Sequence, residues 1–156
     1  MTFTESIHTA IVTATMLHAG QLRKGIPYPY IVHPMAVAMI LSRYTQDNDT
    51  IIAGVLHDVL EDVNSAVYSK EDMLKQFGPF ITRIVEEVSE VKSADGGMDP
   101  AMRRELDRKT WKLRKERYLK ALEKDSTAAM MVCAADKIHN LVSMREIFLE
   151  LGRGAF

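Results

Sequence analysis

Between Ile51 and Val63 the chain reads IIAGVLHDVLEDV, and inside it His57-Asp58 is followed one helical turn later by Glu61-Asp62. The apolar residues before the pair recur at helical rather than alternating spacing, which predicts a helix. At about 100° per residue, with His57 set to zero, Glu61 falls near 40°, Asp58 near 100° and Asp62 near 140°. Ile52, Leu56, Val59, Leu60 and Val63 gather on the opposite side. Four groups able to hold a metal or move a proton thus share one face of a helix whose other face needs a core. That arrangement suits a metal-assisted hydrolase, but an ordinary amphipathic surface helix shows the same division. Two other segments weigh between the readings.

His33, in YIVHP, opens the apolar helical run MAVAMIL, and Asp136, in AADKIHN, lies inside another, from Ala128 to Ile147. Flanked by Met130, Met131, Val132, Cys133, Ala134, Ala135 and Ile138, Asp136 is expected to be at least partly buried. An unpaired buried carboxylate is costly, so it needs a partner. That partner is a metal, or else a salt bridge to Lys137 or Arg145. Together His33, His57, Asp58 and Asp136 supply imidazole nitrogens and carboxylate oxygens without a thiolate. Such donors suit Mn²⁺, Fe²⁺, Mg²⁺ or Zn²⁺ in sites that leave room for water and substrate. Their wide separation along the chain is what a bundle needs to gather ligands from different helices.

The remaining sequence fits one all-α domain over residues 1–156. Helices are predicted at 4–19, 33–45, 48–62, 70–77, 79–92, 101–124 and 126–150. Gly20 to Val32, with Gly25, Pro27 and Pro29, reads as a loop, as does Ser93 to Pro100 around Gly96-Gly97. Gly78-Pro79 divides two helices. No stretch alternates well enough for a central strand, and there is no internal repeat. The metal ligands are expected in the middle of the bundle.

With 20 basic and 21 acidic side chains, no charge bias points to nucleic acid or a membrane. The one cysteine, Cys133, sits in an apolar run and reads as a core residue. It excludes an internal disulfide and fits a reducing cytoplasm. The amino terminus lacks a basic-then-apolar leader and no long apolar stretch follows, so a soluble cytoplasmic protein is expected. No feature of the sequence sets an oligomeric state. His8, His18 and His139 fall outside the ligand set as core or surface histidines. Tyr30 is expected to pack under the loop carrying Arg23, Tyr28 to be exposed, and the methionines mostly to fill the core.

The ordered set His33, His57-Asp58, Asp136 resembles the HD-domain phosphohydrolase superfamily. HAGQLRKGIPYPYIVHPMAVAMIL (18–41) and LHDVLEDV (56–63) are similar to the hydrolase domain of the stringent-response Rel/Spo proteins. WKLRKERYL (111–119) and AADKIHNLVSM (134–144) resemble small stand-alone members of that branch. The likeness runs from about Ile7 to Leu151. It implies that His33, His57, Asp58 and Asp136 are the metal ligands, usually of manganese. It also implies that Glu61 and Asp62 handle the nucleophilic water, that Arg23 and Lys24 contact the nucleotide, and that Asn140 lies near its sugar. The implied reaction is attack by a metal-bound water that removes pyrophosphate from the 3′ position of guanosine tetra- or pentaphosphate. The small relatives continue into another aromatic-rich helix, so a domain ending LGRGAF is expected to lack it.

The chemistry has a physical basis of its own. A divalent ion makes hydroxide available near neutral pH, and a carboxylate in hydrogen-bond reach accepts the proton. Glu61, on the His57 side, is the expected base and Asp62 the assistant, although neighbouring carboxylates titrate as a pair. The same set would serve hydrolysis of another small phosphate ester, or persist in a catalytically silent nucleotide-binding module. The helix around Arg103, Arg104, Arg108, Lys109, Lys112, Arg114, Lys115, Arg117 and Lys120 is strongly basic. A solvated helix with Glu105, Asp107, Glu116 and Glu123 as local partners explains it. The alternative has Arg114 and Lys115 holding substrate phosphates, beside Trp111 and Tyr118 as core anchors. Nucleic acid is disfavoured because no aromatic stacking platform accompanies the charge.

Overall fold

The computed structural model describes residues 3–89, 99–122, 124–152 and 154. Four of its helices begin where short polar side chains satisfy otherwise unpaired backbone N–H groups. Thr4 caps α1 (Glu5–Leu17) and Asp47 caps α3 (Asn48–Leu56). Ser69 and Asp72 form a reciprocal capping box at the start of α5 (Lys70–Val88), and Ser126 caps α7 (Thr127–Leu151). Between them lie α2 (Val32–Leu41), the single turn α4 (Val59–Asp62) and α6 (Pro100–Leu122). The architecture is all-α, as expected, and among the described residues the only strand-like pairing is one antiparallel bridge, Leu22 to Pro29.

The helix carrying His57 differs from its expected form in two ways. First, it has no solvated face: every residue from Thr50 to Leu56 is buried, because α3 runs through the centre and packs against α1, α2, α5 and α7. Second, the helix expected over 48–62 breaks at His57-Asp58. The Gly54 carbonyl, which an unbroken helix would offer to the Asp58 N–H, lies 2.9 Å from His57 Nδ1. The chain turns there, and α4 restarts with the Asp62 N–H donating to the Asp58 carbonyl at 2.8 Å. This break lifts Asp58 out of the core and leaves the imidazole inside it.

Gly54 also sets how closely α2 and α3 approach, since a Cβ at that position would collide with the side chain of Leu41. At Gly78 the backbone takes φ 80°, in the region open mainly to glycine. The Gly78-Pro79 division therefore appears as a kink within α5. The helix expected over 33–45 ends at Leu41, and Ser42 to Tyr44 continue as a turn.

One hydrophobic cluster joins Ile7, Ala10 and Ala14 of α1, Val37 and Leu41 of α2, Ile51, Ile52, Ala53, Val55 and Leu56 of α3, Met73, Ile84 and Val85 of α5, and Ala129, Val132 and Ala135 of α7. Cys133 is buried beside it. Two packing expectations fail. Trp111 is no core anchor: it is 56% exposed on α6, a helix whose principal neighbour is α5 alone. The Tyr118 side chain lies outside the described residues. The methionines are not mostly core either: Met73 is fully buried, whereas Met16, Met39, Met102, Met130 and Met144 are exposed. A flexible unbranched side chain on a helix surface costs little, so methionine is a poor marker of the interior. Of the loop expected over Ser93 to Pro100, residues 93–98 lie outside the described residues. Among the described residues no helix is long and apolar enough to cross a membrane.

Candidate metal centre

Each donor reaches the centre by a different route. His33 sits in the first turn of α2, 1% exposed. His57 caps the end of α3, Asp58 stands between α3 and α4, and Asp136 occupies the middle of α7. His33 Nε2 lies 3.4 Å from Asp58 Oδ2 and 3.2 Å from Asp136 Oδ1. His57 Nε2 lies 3.1 Å and 3.9 Å from the same two oxygens. Both imidazoles therefore lie within 3.9 Å of both carboxylates, which brings together the four groups expected as ligands. One donor atom each from His33, His57 and Asp58 lies within 4.8 Å of the others, a spacing that a single ion can span.

A divalent ion fits this donor set. His57 Nε2 is buried and makes no hydrogen bond, being near Asp58 but off the hydrogen-bond direction, and a buried nitrogen left so calls for another partner. Its other nitrogen is occupied by the Gly54 carbonyl, which fixes the tautomer and leaves Nε2 for a metal. His33 is oriented in the same way by a residue outside the expected set: His139 Nδ1 lies 2.7 Å from His33 Nδ1.

The electrostatics agree. Burial disfavours the charged form of Asp58, but the charge of His57 and contacts from His33 and Tyr30 outweigh it and hold the carboxyl well below its usual range. Asp136 is likewise pushed up by burial yet drawn down to about 2 by His33 and by Lys137. Burial works against the His57 imidazolium, and the neighbouring Asp58 charge, then Asp136, raise its pKa nonetheless. The two carboxylates thus favour positive charge between them, which is also what favours a cation there. The salt bridge to Lys137 considered as the alternative partner for Asp136 is present too, on its Oδ2, while Oδ1 faces the histidines. The ion pair and the contact with the histidines thus use different oxygens of one side chain.

Around this centre lie groups that sequence placed less well. Tyr30 does pack under Arg23, whose guanidinium carbon is 5.5 Å from the ring centroid. Its hydroxyl, however, donates to Asp58 Oδ2 at 2.6 Å and reaches Asp62 Oδ2 at 3.0 Å. His18 is buried against the Tyr30 ring at 4.8 Å. Neither contact has a spacing signal, because both come from the 20–30 loop folding back. That loop is pinned by hydrogen bonds from the Arg23 N–H to the Tyr28 carbonyl and from the Tyr30 N–H to the Gln21 carbonyl. It rests on α7 where Gly25 has no Cβ to meet Ile147. Arg23 Nη2 then donates to Asn140 Oδ1 at 2.8 Å, and Asn140 Nδ2 donates to Asp136 Oδ1. Arg23 and Asn140, expected at the nucleotide, are thereby linked to Asp136.

Asp62 is brought to the centre through Tyr30, and Glu61 is half-buried on the same turn, α4. Lys24 is exposed beside Arg23, and Tyr28 is exposed as expected. Arg114 and Lys115 are half-buried on α6, whose principal neighbour is α5 rather than the helices that carry the donors.

Residues 10–150 match the family described as HD domain. A GTP pyrophosphokinase of Streptomyces coelicolor is 34% identical over 139 residues, covering 89% of this chain and 15% of the relative. A guanosine-3′,5′-bis(diphosphate) 3′-pyrophosphohydrolase of Borreliella burgdorferi is 30% identical over 143 residues, covering 90% of this chain and 19% of the relative. The chain thus spans less than a fifth of the length of these curated relatives. A solved structure of a metazoan ortholog of SpoT, described as hydrolyzing ppGpp and playing a role in starvation responses, superposes with a TM-score of 0.68. It is 28% identical, and the match covers 93% of this chain and 73% of that one.

Proposed function

The chain belongs to the HD-domain family, and from that premise we propose that it is a metal-dependent 3′-pyrophosphohydrolase of guanosine 3′,5′-bis(diphosphate) and the corresponding pentaphosphate. The observation that carries the reading is the convergence of His33, His57, Asp58 and Asp136 on one point, with Asp62 tied to it and Arg23 at its edge. The names of the Borreliella relative and of the metazoan structure support the substrate. The pyrophosphokinase activity named for the Streptomyces relative is not carried over, since the residues gathered here are a metal-and-water set.

In this reading His33 Nε2, His57 Nε2, Asp58 and Asp136 hold the ion, manganese first and Fe²⁺, Mg²⁺ or Zn²⁺ as alternatives. When bound, the ion supplies Lewis acidity, easing ionisation of water near neutral pH and offsetting charge on a phosphoryl oxygen. Glu61 accepts a proton from the attacking water, and Asp62 orients that water. The water oxygen bonds to the phosphorus carried on the 3′ oxygen, and the bond between that phosphorus and the 3′ oxygen breaks. The 3′ oxygen takes a proton, and pyrophosphate leaves with GDP or GTP as the other product. Arg23 and Lys24 face the nucleotide, a guanidinium lying readily against a base. Asn140 faces the sugar, and Arg114 and Lys115 serve the phosphates. A single HD domain over residues 1–156, working in the cytoplasm on the nucleotide of the stringent response, completes the proposal.

A substrate panel tests it. With Mn²⁺ present, kcat/KM for guanosine 3′,5′-bis(diphosphate) should exceed that for nucleoside 2′- and 3′-monophosphates by orders of magnitude. Preference for a monophosphate would keep the metal chemistry and replace the substrate.

A further inference from the structure

Tyr30 makes contacts on every side. Its hydroxyl lies 2.6 Å from Asp58 Oδ2 and 3.0 Å from Asp62 Oδ2. The Asp58 oxygen is the one that also faces His33 Nε2 at 3.4 Å and His57 Nε2 at 3.1 Å. One face of the ring meets buried His18, itself fixed by a 2.8 Å contact from Nδ1 to Gln21 Oε1. The Arg23 guanidinium covers the ring, and the Tyr30 backbone N–H is bonded to the Gln21 carbonyl. The hydroxyl therefore cannot move unless the loop moves.

We propose that Tyr30 is a positioning residue that ties Asp62 to the metal-site carboxylate of Asp58 and transmits the seating of the Arg23 loop to both. A phenol carries one proton and so serves one carboxylate fully at a time. The shorter contact is to Asp58. The hydroxyl nonetheless touches both oxygens, so its position sets where Asp62 stands relative to Asp58. Arg23 lies over the same ring, so a nucleotide drawing on Arg23 acts on the hydroxyl that sets Asp62.

Tyr30→Phe removes the hydroxyl and keeps the ring between His18 and Arg23. Calorimetric Mn²⁺ titration of the parent, Tyr30→Phe, Asp62→Asn and the double variant tests the tie without any turnover. Tyr30→Phe should weaken Mn²⁺ binding about tenfold, in the range of losses at groups that support metal ligands. Adding Asp62→Asn to it should cost less than Asp62→Asn costs alone. Parental Mn²⁺ affinity in Tyr30→Phe, or fully additive losses in the double variant, overturns the proposal. If Tyr30→Phe does not fold, Asp62→Asn alone still decides, because an unchanged Mn²⁺ affinity there means no tie to Asp58. The kinetic arm rests on the hydrolase reading: on guanosine 3′,5′-bis(diphosphate), Tyr30→Phe should lower kcat about 10- to 100-fold while KM stays near the parental value. A parent inactive on that nucleotide defeats the hydrolase reading, while the Mn²⁺ titration still judges Tyr30.

Discussion

His139 Nδ1 lies 2.7 Å from Nδ1 of His33, so a histidine outside the donor set decides which nitrogen of a donor histidine faces the carboxylates. At that distance one nitrogen donates and the other accepts. With the proton on His33, its Nε2 lone pair is left for a metal. His139→Ala removes the acceptor and should weaken Mn²⁺ binding by about 10- to 100-fold. His139→Gln, which keeps an acceptor oxygen, should recover part of the loss. Parental affinity in the alanine variant would show that His33 is oriented without this partner.

The acceptor role requires a neutral His139. Burial, then the neighbouring His33 and Arg23, push its pKa down to about 4 from 6.5. A depressed imidazole means that the unfolded chain binds a proton that the folded chain refuses. Stability should therefore fall as pH drops from 6.5 toward 4 and level off below. Nitrogen-15 chemical shifts of the metal-free protein at pH 5.5 should report a neutral ring. An imidazolium signature at that pH contradicts the assignment.

Close approach of α2 and α3 at Gly54 gives a stability prediction. Gly54→Val drives a branched side chain into Leu41 and should cost about 1–3 kcal/mol in urea unfolding, the usual range for overpacking. Gly54→Ala should cost less, because replacing a helical glycine returns up to about 1 kcal/mol. A valine variant as stable as the parent would mean that the helices separate freely.

How much of this was legible in the sequence depends on what carried each signal. Most helix starts followed from the apolar period, but one expected helix broke at His57-Asp58 and two expected helices joined through the kink at Gly78. The donors followed from chemistry: a histidine-aspartate pair on a helix and an aspartate inside an apolar run have few stable environments. The amphipathic assignment of Ile51 to Val63 failed because a helix surrounded on all sides buries both faces, and a polar end then lies at a break in the helix rather than along a solvated stripe. The break itself depends on one side-chain hydrogen bond, His57 to Gly54, which periodicity does not register. Tyr30 and His139 were missed as supporting groups because their partners lie 28 and 106 residues away. Trp111 was misplaced because aromatic size was taken for burial on a helix with few neighbours.

The assignment of base and ligand separates in one variant. Glu61→Gln keeps shape and removes the proton acceptor, so turnover should fall about 10²- to 10⁴-fold while Mn²⁺ affinity holds. Loss of Mn²⁺ from Glu61→Gln would make Glu61 a ligand and shift the base to Asp62.

The most direct measurement follows pyrophosphate released from guanosine 3′,5′-bis(diphosphate) against Mn²⁺ concentration, for the parent and for Asp58→Ala. The parent should release pyrophosphate and GDP in equal amounts, saturably in Mn²⁺, and Asp58→Ala should be silent at every concentration. Release that is independent of the metal, or that survives in Asp58→Ala, contradicts the centre described here.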